Sequence, residues 1–97
     1  MELNIKAVHF SATDRLQEFI EKKLAKIAKN NEDILDAEVT LKVVKPETAM
    51  NKEAAISLHM RGADLRASKV ADTFEAAVDL CIDSIKPQIE KAKAAKR

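Results

Sequence analysis

Asp79 and Asp83 stand four residues apart, the spacing that sets two carboxylates on one helix face and could serve acid and base work. With Glu75 they continue as an acidic ridge turned to water, and such a ridge has nothing to drive the two proton affinities apart, so no acid or base role is assigned. The chain has one cysteine, Cys81, set among Phe74, Val78 and Ile85 on an apolar helical face, where a thiol is inert packing rather than a nucleophile. A lone cysteine excludes an internal disulfide and a cysteine-based zinc site. His9 and His59 lie far apart and offer no metal-ligand spacing. His59 takes the opposite parity from Ile56, Leu58 and Met60, which puts it on an open sheet face as a surface or contact residue. A single glycine cannot build a glycine-rich phosphate loop. These residues predict neither an enzyme nor a bound cofactor or metal.

What remains is charge, and its distribution matters more than its sum. The formal net charge is only +1, with 34% of residues charged. Turned at about 100° per residue, the segment from Arg15 to Lys29 gathers Leu16, Phe19, Ile20, Leu24 and Ile27 into one arc. Arg15, Lys22, Lys26 and Lys29 share an arc of roughly 60° beside it, while Glu18 and Glu21 fall outside. Lys23 projects into the apolar arc and must snorkel its ammonium outward. A second basic zone follows residue 86, where Lys86, Lys91, Lys93, Lys96 and Arg97 face Glu90 alone. Two acidic zones balance them: Glu32, Asp33, Asp36 and Glu38 ahead of a strand, and Asp72, Glu75, Asp79 and Asp83 along a helix. A lysine stripe is either a solvated helix face or a phosphate-binding one. In the second case it contributes affinity without reading sequence, through counterion release. Base stacking has little to offer it, because Phe10, Phe19 and Phe74 are the only aromatic residues and all fit the core pattern.

The elements that must carry these groups follow from periodicity. Leu3, Ile5 and Ala7 alternate with polar neighbours and predict a strand ending near Phe10. Ser11 and Thr13 offer N-cap oxygens to the first helix, which Asn30 and Asn31 close. Val39, Leu41 and Val43 predict the second strand, and a polar loop around Pro46 leads to the third, with Ala54, Ile56, Leu58 and Met60. Gly62 supplies the hairpin to a fourth strand at Leu65 and Ala67. Asp72 with Glu75 reads as a capping box for the second helix, whose apolar face runs through Phe74, Val78, Cys81, Ile82, Ile85 and Ile89. Pro87 predicts a kink there, and the tail from about residue 91 is expected to be flexible. The expected fold is α+β: one βαβββα domain over residues 1–97, a four-stranded mixed sheet with both helices packed on one face.

The chain's 97 residues suit one domain. Sixteen alanines and no Trp or Tyr leave it a thin aliphatic core. It opens without the features of a signal peptide, no stretch is long enough for a membrane span, and its cysteine usage fits a reducing compartment, so a cytoplasmic protein with no membrane partner is expected.

The order of elements, together with Leu3-Asn4-Ile5, the run Thr13-Asp14-Arg15-Leu16-Gln17-Glu18-Phe19-Ile20 with Lys23-Leu24-Ala25-Lys26-Ile27, the Val39/Leu41/Val43 strand and Ala76-Ala77-Val78-Asp79, resembles the ribosome hibernation promoting factor and ribosome-associated translation inhibitor family, also described as sigma-54 modulation proteins. The resemblance spans nearly the whole chain. It implies a non-catalytic protein seated on 16S ribosomal RNA in the decoding region of the small ribosomal subunit, in the path of messenger RNA and the A-site and P-site transfer RNAs, inhibiting translation during hibernation or stress. The family's basic positions on the first helix correspond to Lys23 and Lys26, and Lys22 and Lys29 extend the same stripe. On the second helix, Lys91 and Lys93 match by spacing and Lys86 stands near them, whereas Ser84 and Pro87 there, and Gln17 on the first helix, occupy positions that are basic in many members. The expected RNA-binding set is therefore Lys22, Lys23, Lys26, Lys29, Lys86, Lys91 and Lys93, with Lys23 placed near the second helix's basic groups. A chain stopping at Arg97 looks like the short form of the family, so pairing of ribosomes would need a separate dimerisation factor.

Two further readings stay open at this level. One is a transcription-regulating protein-interaction module using an open sheet face with Thr40, Lys42, His59 and Arg66. The other is a general double-stranded RNA binder.

Overall fold

The computed structural model describes residues 2–44 and 50–95. The chain runs β1 (Glu2–Ala7), α1 (Asp14–Lys29), β2 (Ile34–Val43), β3 (Lys52–Met60), β4 (Ala63–Ala71) and α2 (Phe74–Ala95). The strands form one sheet in the order β1-β2-β3-β4, with β1 parallel to β2 and the other pairs antiparallel. This is the expected βαβββα arrangement of a mixed sheet and two helices.

Strand alternation decides which side chains the helices cover. Val39 lies opposite Ile5 and Ile56, and Leu58 opposite Leu65. Val39, Leu41, Ile56 and Leu58 are sealed from water beneath Ile20 and Leu24 of α1 and Val78, Cys81 and Ile85 of α2. Each such aliphatic side chain contributes about 1.5–3 kcal/mol relative to exposure. The opposite parity of the same strands leaves Glu38, Lys42, His59 and Arg66 exposed on the far face.

Several local expectations shift. β1 ends at Ala7 rather than near Phe10, and the chain then turns at His9, which holds φ 64 in the left-handed region. Phe10 beyond the turn stacks on Phe74 with ring centroids 5.0 Å apart. Of the two candidate caps for α1, Thr13 is the one used: its Oγ1 accepts from the Leu16 amide at 3.1 Å. Thr73, not Asp72, caps α2, its Oγ1 accepting from the Ala76 amide at 3.1 Å. β2 begins at Ile34 with an irregularity between Ile34 and Asp36, so Asp36 and Glu38 belong to the strand rather than to an acidic lead-in. The two-residue connection Arg61–Gly62 joins β3 to β4, with Gly62 at φ 81 as expected of the lone glycine.

α2 continues through Pro87 to Ala95, so residues 91–95 are helical where a loose tail was expected. Proline lacks the amide that would have met the Asp83 carbonyl, but Ile89 is buried beyond it and Ala92 packs against the core, which holds the last turns down. The polar loop around Pro46 and the terminal Lys96 and Arg97 lie outside the described residues.

Candidate nucleic-acid interface

Helical phase explains how the lysines are sorted. On α2, Asp79, Asp83, Lys86, Glu90 and Lys93 fall within an arc of roughly 80° beside Ile82 and Ile89. Lys91 points well away from it. On α1, Lys23, Lys26 and Asn30 flank Ile27, whereas Lys22 and Lys29 sit further round towards water. These two arcs face each other across a groove of about 520 Å³ between the helices.

Ile27, Ile82 and Ile89 reach the groove from the core side, and Lys23, Lys26, Lys86 and Lys93 line it with Asp79, Asp83 and Glu90. The structure thus brings together four of the seven expected lysines from two helices. Lys22, Lys29 and Lys91 are exposed and do not line the groove.

Lys23 lines the groove with Lys86 and Lys93 of α2, but its direct partner there is acidic: its Nζ meets Asp79 Oδ1 at 3.2 Å and sits 5.4 Å from the Phe19 ring centroid. The ammonium leaves the apolar arc as expected, but the adjacent turn of α2 is acidic, and the opposite charge captures it. Lys93 reaches across at the other end, its Nζ donating to the Asn30 carbonyl at 3.5 Å, where a cation complements the C-terminal end of the α1 dipole. Asn30 and Asn31 close α1 as anticipated: their side-chain amides donate to the carbonyls of Lys26 and Ile27 at 3.3 and 2.7 Å. Gln17 is turned to structural use, donating from Nε2 to the Ala12 carbonyl at 3.0 Å.

The groove's acids are an addition to the expected site. Taken one helix at a time, Asp79 and Asp83 form a solvent ridge and Glu90 is a lone counter-charge. Their spacing of four and seven residues, in step with Lys86 and Lys93 and with Ile82 and Ile89, is the signal that places them on the groove wall.

Away from the groove, Thr40, Lys42 and Arg66 line a shallow trough of about 340 Å³ on the open sheet face, with Glu38 and Glu53 among them. Its charge is mixed and its surface carries no ring for stacking. His59 instead joins Asp36, Nδ1 to Oδ1 at 2.7 Å. Cys81 is fully buried, with Sγ donating to the Ala54 carbonyl at 3.1 Å, and burial pushes its thiol pKa up. Among the described residues, no cluster of three or more His, Cys, Asp or Glu could hold a metal ion, and no helix is long and apolar enough to cross a membrane.

A sequence profile for the family described as sigma 54 modulation protein / S30EA ribosomal protein matches residues 3–97. The ribosome hibernation promoting factor of Escherichia coli K12 is 32% identical over 93 residues, covering 96% of this chain and 94% of that protein. That of Azotobacter vinelandii is 27% identical over 93 residues, covering 96% and 83%. Among solved structures, a ribosomal subunit interface protein from Coxiella burnetii superposes with a TM-score of 0.85 at 21% identity, covering 97% of this chain and 99% of that one. The N-terminal domain of Thermus thermophilus Protein Y superposes at 0.79 with 23% identity, covering 94% and 98%. At these identities the two structures speak for the fold.

Proposed function

The chain belongs to the sigma 54 modulation protein / S30EA ribosomal protein family, and from that membership and its lysine-lined helical layer we propose that it is a non-catalytic ribosome-binding protein that restrains translation during hibernation or stress. At finer scale, the helical layer lies against 16S ribosomal RNA in the decoding region of the small subunit, across the path of messenger RNA and of A-site and P-site transfer RNA. Residues 1–97 act as one ribosome-binding domain in the cytoplasm.

The observation that carries this reading is the meeting of Lys23 and Lys26 from α1 with Lys86 and Lys93 from α2 at one groove, with Lys22 and Lys29 extending the same basic surface outward along α1 and Lys91 exposed on α2. Such a layer recognises phosphate backbone and RNA shape, and its affinity falls steeply with salt. The polar far face, with mixed charge, is left towards solvent or the opposite subunit.

The test is competition. Isolated small subunits programmed with messenger RNA and P-site transfer RNA should lose both as the protein is added, with displacement saturating near one protein per subunit. Full retention of messenger and transfer RNA at saturating protein would contradict decoding-region occupancy.

A further inference from the structure

Phosphate binding explains the lysines of the inter-helix groove but not its carboxylates. Asp79, Asp83 and Glu90 would repel a backbone laid over Lys26, Lys86 and Lys93. Asp79 is matched by Lys23. Asp83 and Glu90, both exposed, form no ion pair among the described residues, although Lys86 and Lys93 stand within one turn of them on the same helix. The groove therefore offers free anionic acceptors at its wall, ammonium donors beside them and an apolar floor of Ile27, Ile82 and Ile89.

We infer that this groove accepts an unpaired RNA base through its exocyclic amine, with either Asp83 or Glu90, two turns apart on α2, as the acceptor, the isoleucines against the base face, and Lys26, Lys86 and Lys93 on the flanking phosphates. The inference rests on the RNA-binding reading above and adds to it a base preference that phosphate contacts alone cannot give. Sequence-specific contacts to RNA fall on splayed-out bases read along their edges, and a carboxylate accepts from an amine such as cytosine N4. Uracil has nearly the same shape but presents an oxygen acceptor at that position, so a carboxylate placed for the amine finds no donor there and faces the O4 lone pairs instead. The occupant is an amine-bearing base, cytosine being the simplest probe.

The experiment compares two hairpin RNAs with one stem and a four-nucleotide loop, all cytidine in one and all uridine in the other, by fluorescence anisotropy at fixed salt. The wild-type protein should bind the cytidine loop about fivefold or more tightly, the low end expected of one amine–carboxylate contact in a half-open groove. The double variant Asp83→Asn, Glu90→Gln should bind the uridine loop more tightly because the repulsion is gone, and the ratio between the two RNAs should collapse towards one. Both positions are exposed, so circular dichroism should match the wild type. A ratio near one in the wild-type protein, or a ratio that survives in the variant, overturns the inference. Sedimentation of the wild-type protein with small subunits, run in parallel, separates two failures. Subunit binding without loop preference rejects base acceptance alone, whereas absence of binding to subunits and to both hairpins rejects the RNA reading together with the inference.

Discussion

At the scale of single residues, burial and exposure divide the chemistry that the sequence offers. The Cys81 thiol is sealed in the core, and desolvation raises its pKa from an ordinary value near 9.0. A raised pKa in the folded state means that the native protein keeps a proton which the unfolded chain releases, so this contribution to stability is intact below about pH 9 and declines as pH rises above it. Urea midpoints should fall on the alkaline side, and Cys81→Ala should flatten that part of the decline while costing about 1–2 kcal/mol for the cavity left behind. Thiol reagents should label Cys81 only as fast as the protein opens. Lys23 and Asp79 behave differently, because 44% and 49% of their side-chain surfaces remain accessible. An ion pair so open to solvent contributes at most about 1 kcal/mol. Asp79→Asn should therefore shift the urea midpoint only slightly, and a destabilisation of several kcal/mol would show that the ion pair anchors the two helices.

At the scale of elements, caps and breakers carry the testable consequences. Thr13 and Thr73 each satisfy an amide at a helix start, and either threonine changed to alanine should lower stability by about 1 kcal/mol. Pro87 withholds a hydrogen bond from the middle of α2, so Pro87→Ala should raise stability by about 1–3 kcal/mol and increase helical ellipticity. Strand parity and helical period make most of this architecture readable in advance, because each element has one apolar face and the faces must meet. Boundaries are less readable. Thr73 outcompetes Asp72 as a cap by one position, which composition cannot decide. The start of β2 is hidden because an irregularity at Leu35 breaks the alternation, leaving that leucine 50% exposed and Asp36 looking like loop. α2 outlasts its proline because Ile89 and Ala92 are held by tertiary packing, which local propensity does not contain. The candidate site is half legible in the same sense. Each lysine stripe follows from one helix, but the groove depends on the angular relation of two helices, and so do its acids and the capture of Lys23 by Asp79.

At the scale of the whole molecule, a formal charge of +1 conceals a protein with two unlike sides. The helical layer concentrates lysines around and beside one groove, and the sheet's far face alternates Glu38, Lys42, Glu53 and Arg66 over small residues such as Ala55 and Ser57. On the proposed reading, long-range attraction to a polyanion comes from the layout of charge rather than from its total, and it would orient the helices towards the partner. The most direct measurement is co-sedimentation with isolated small ribosomal subunits across a salt series, comparing the wild-type protein with a variant in which Lys23, Lys26, Lys86 and Lys93 are all glutamine. The account predicts near-stoichiometric binding at low salt that weakens as salt rises. It also predicts that the variant, folded by circular dichroism, binds at least about tenfold more weakly, with a log–log salt slope shallower by roughly 0.7–0.9 for each phosphate that is no longer neutralised. A folded variant with the affinity and salt slope of the wild type would contradict it.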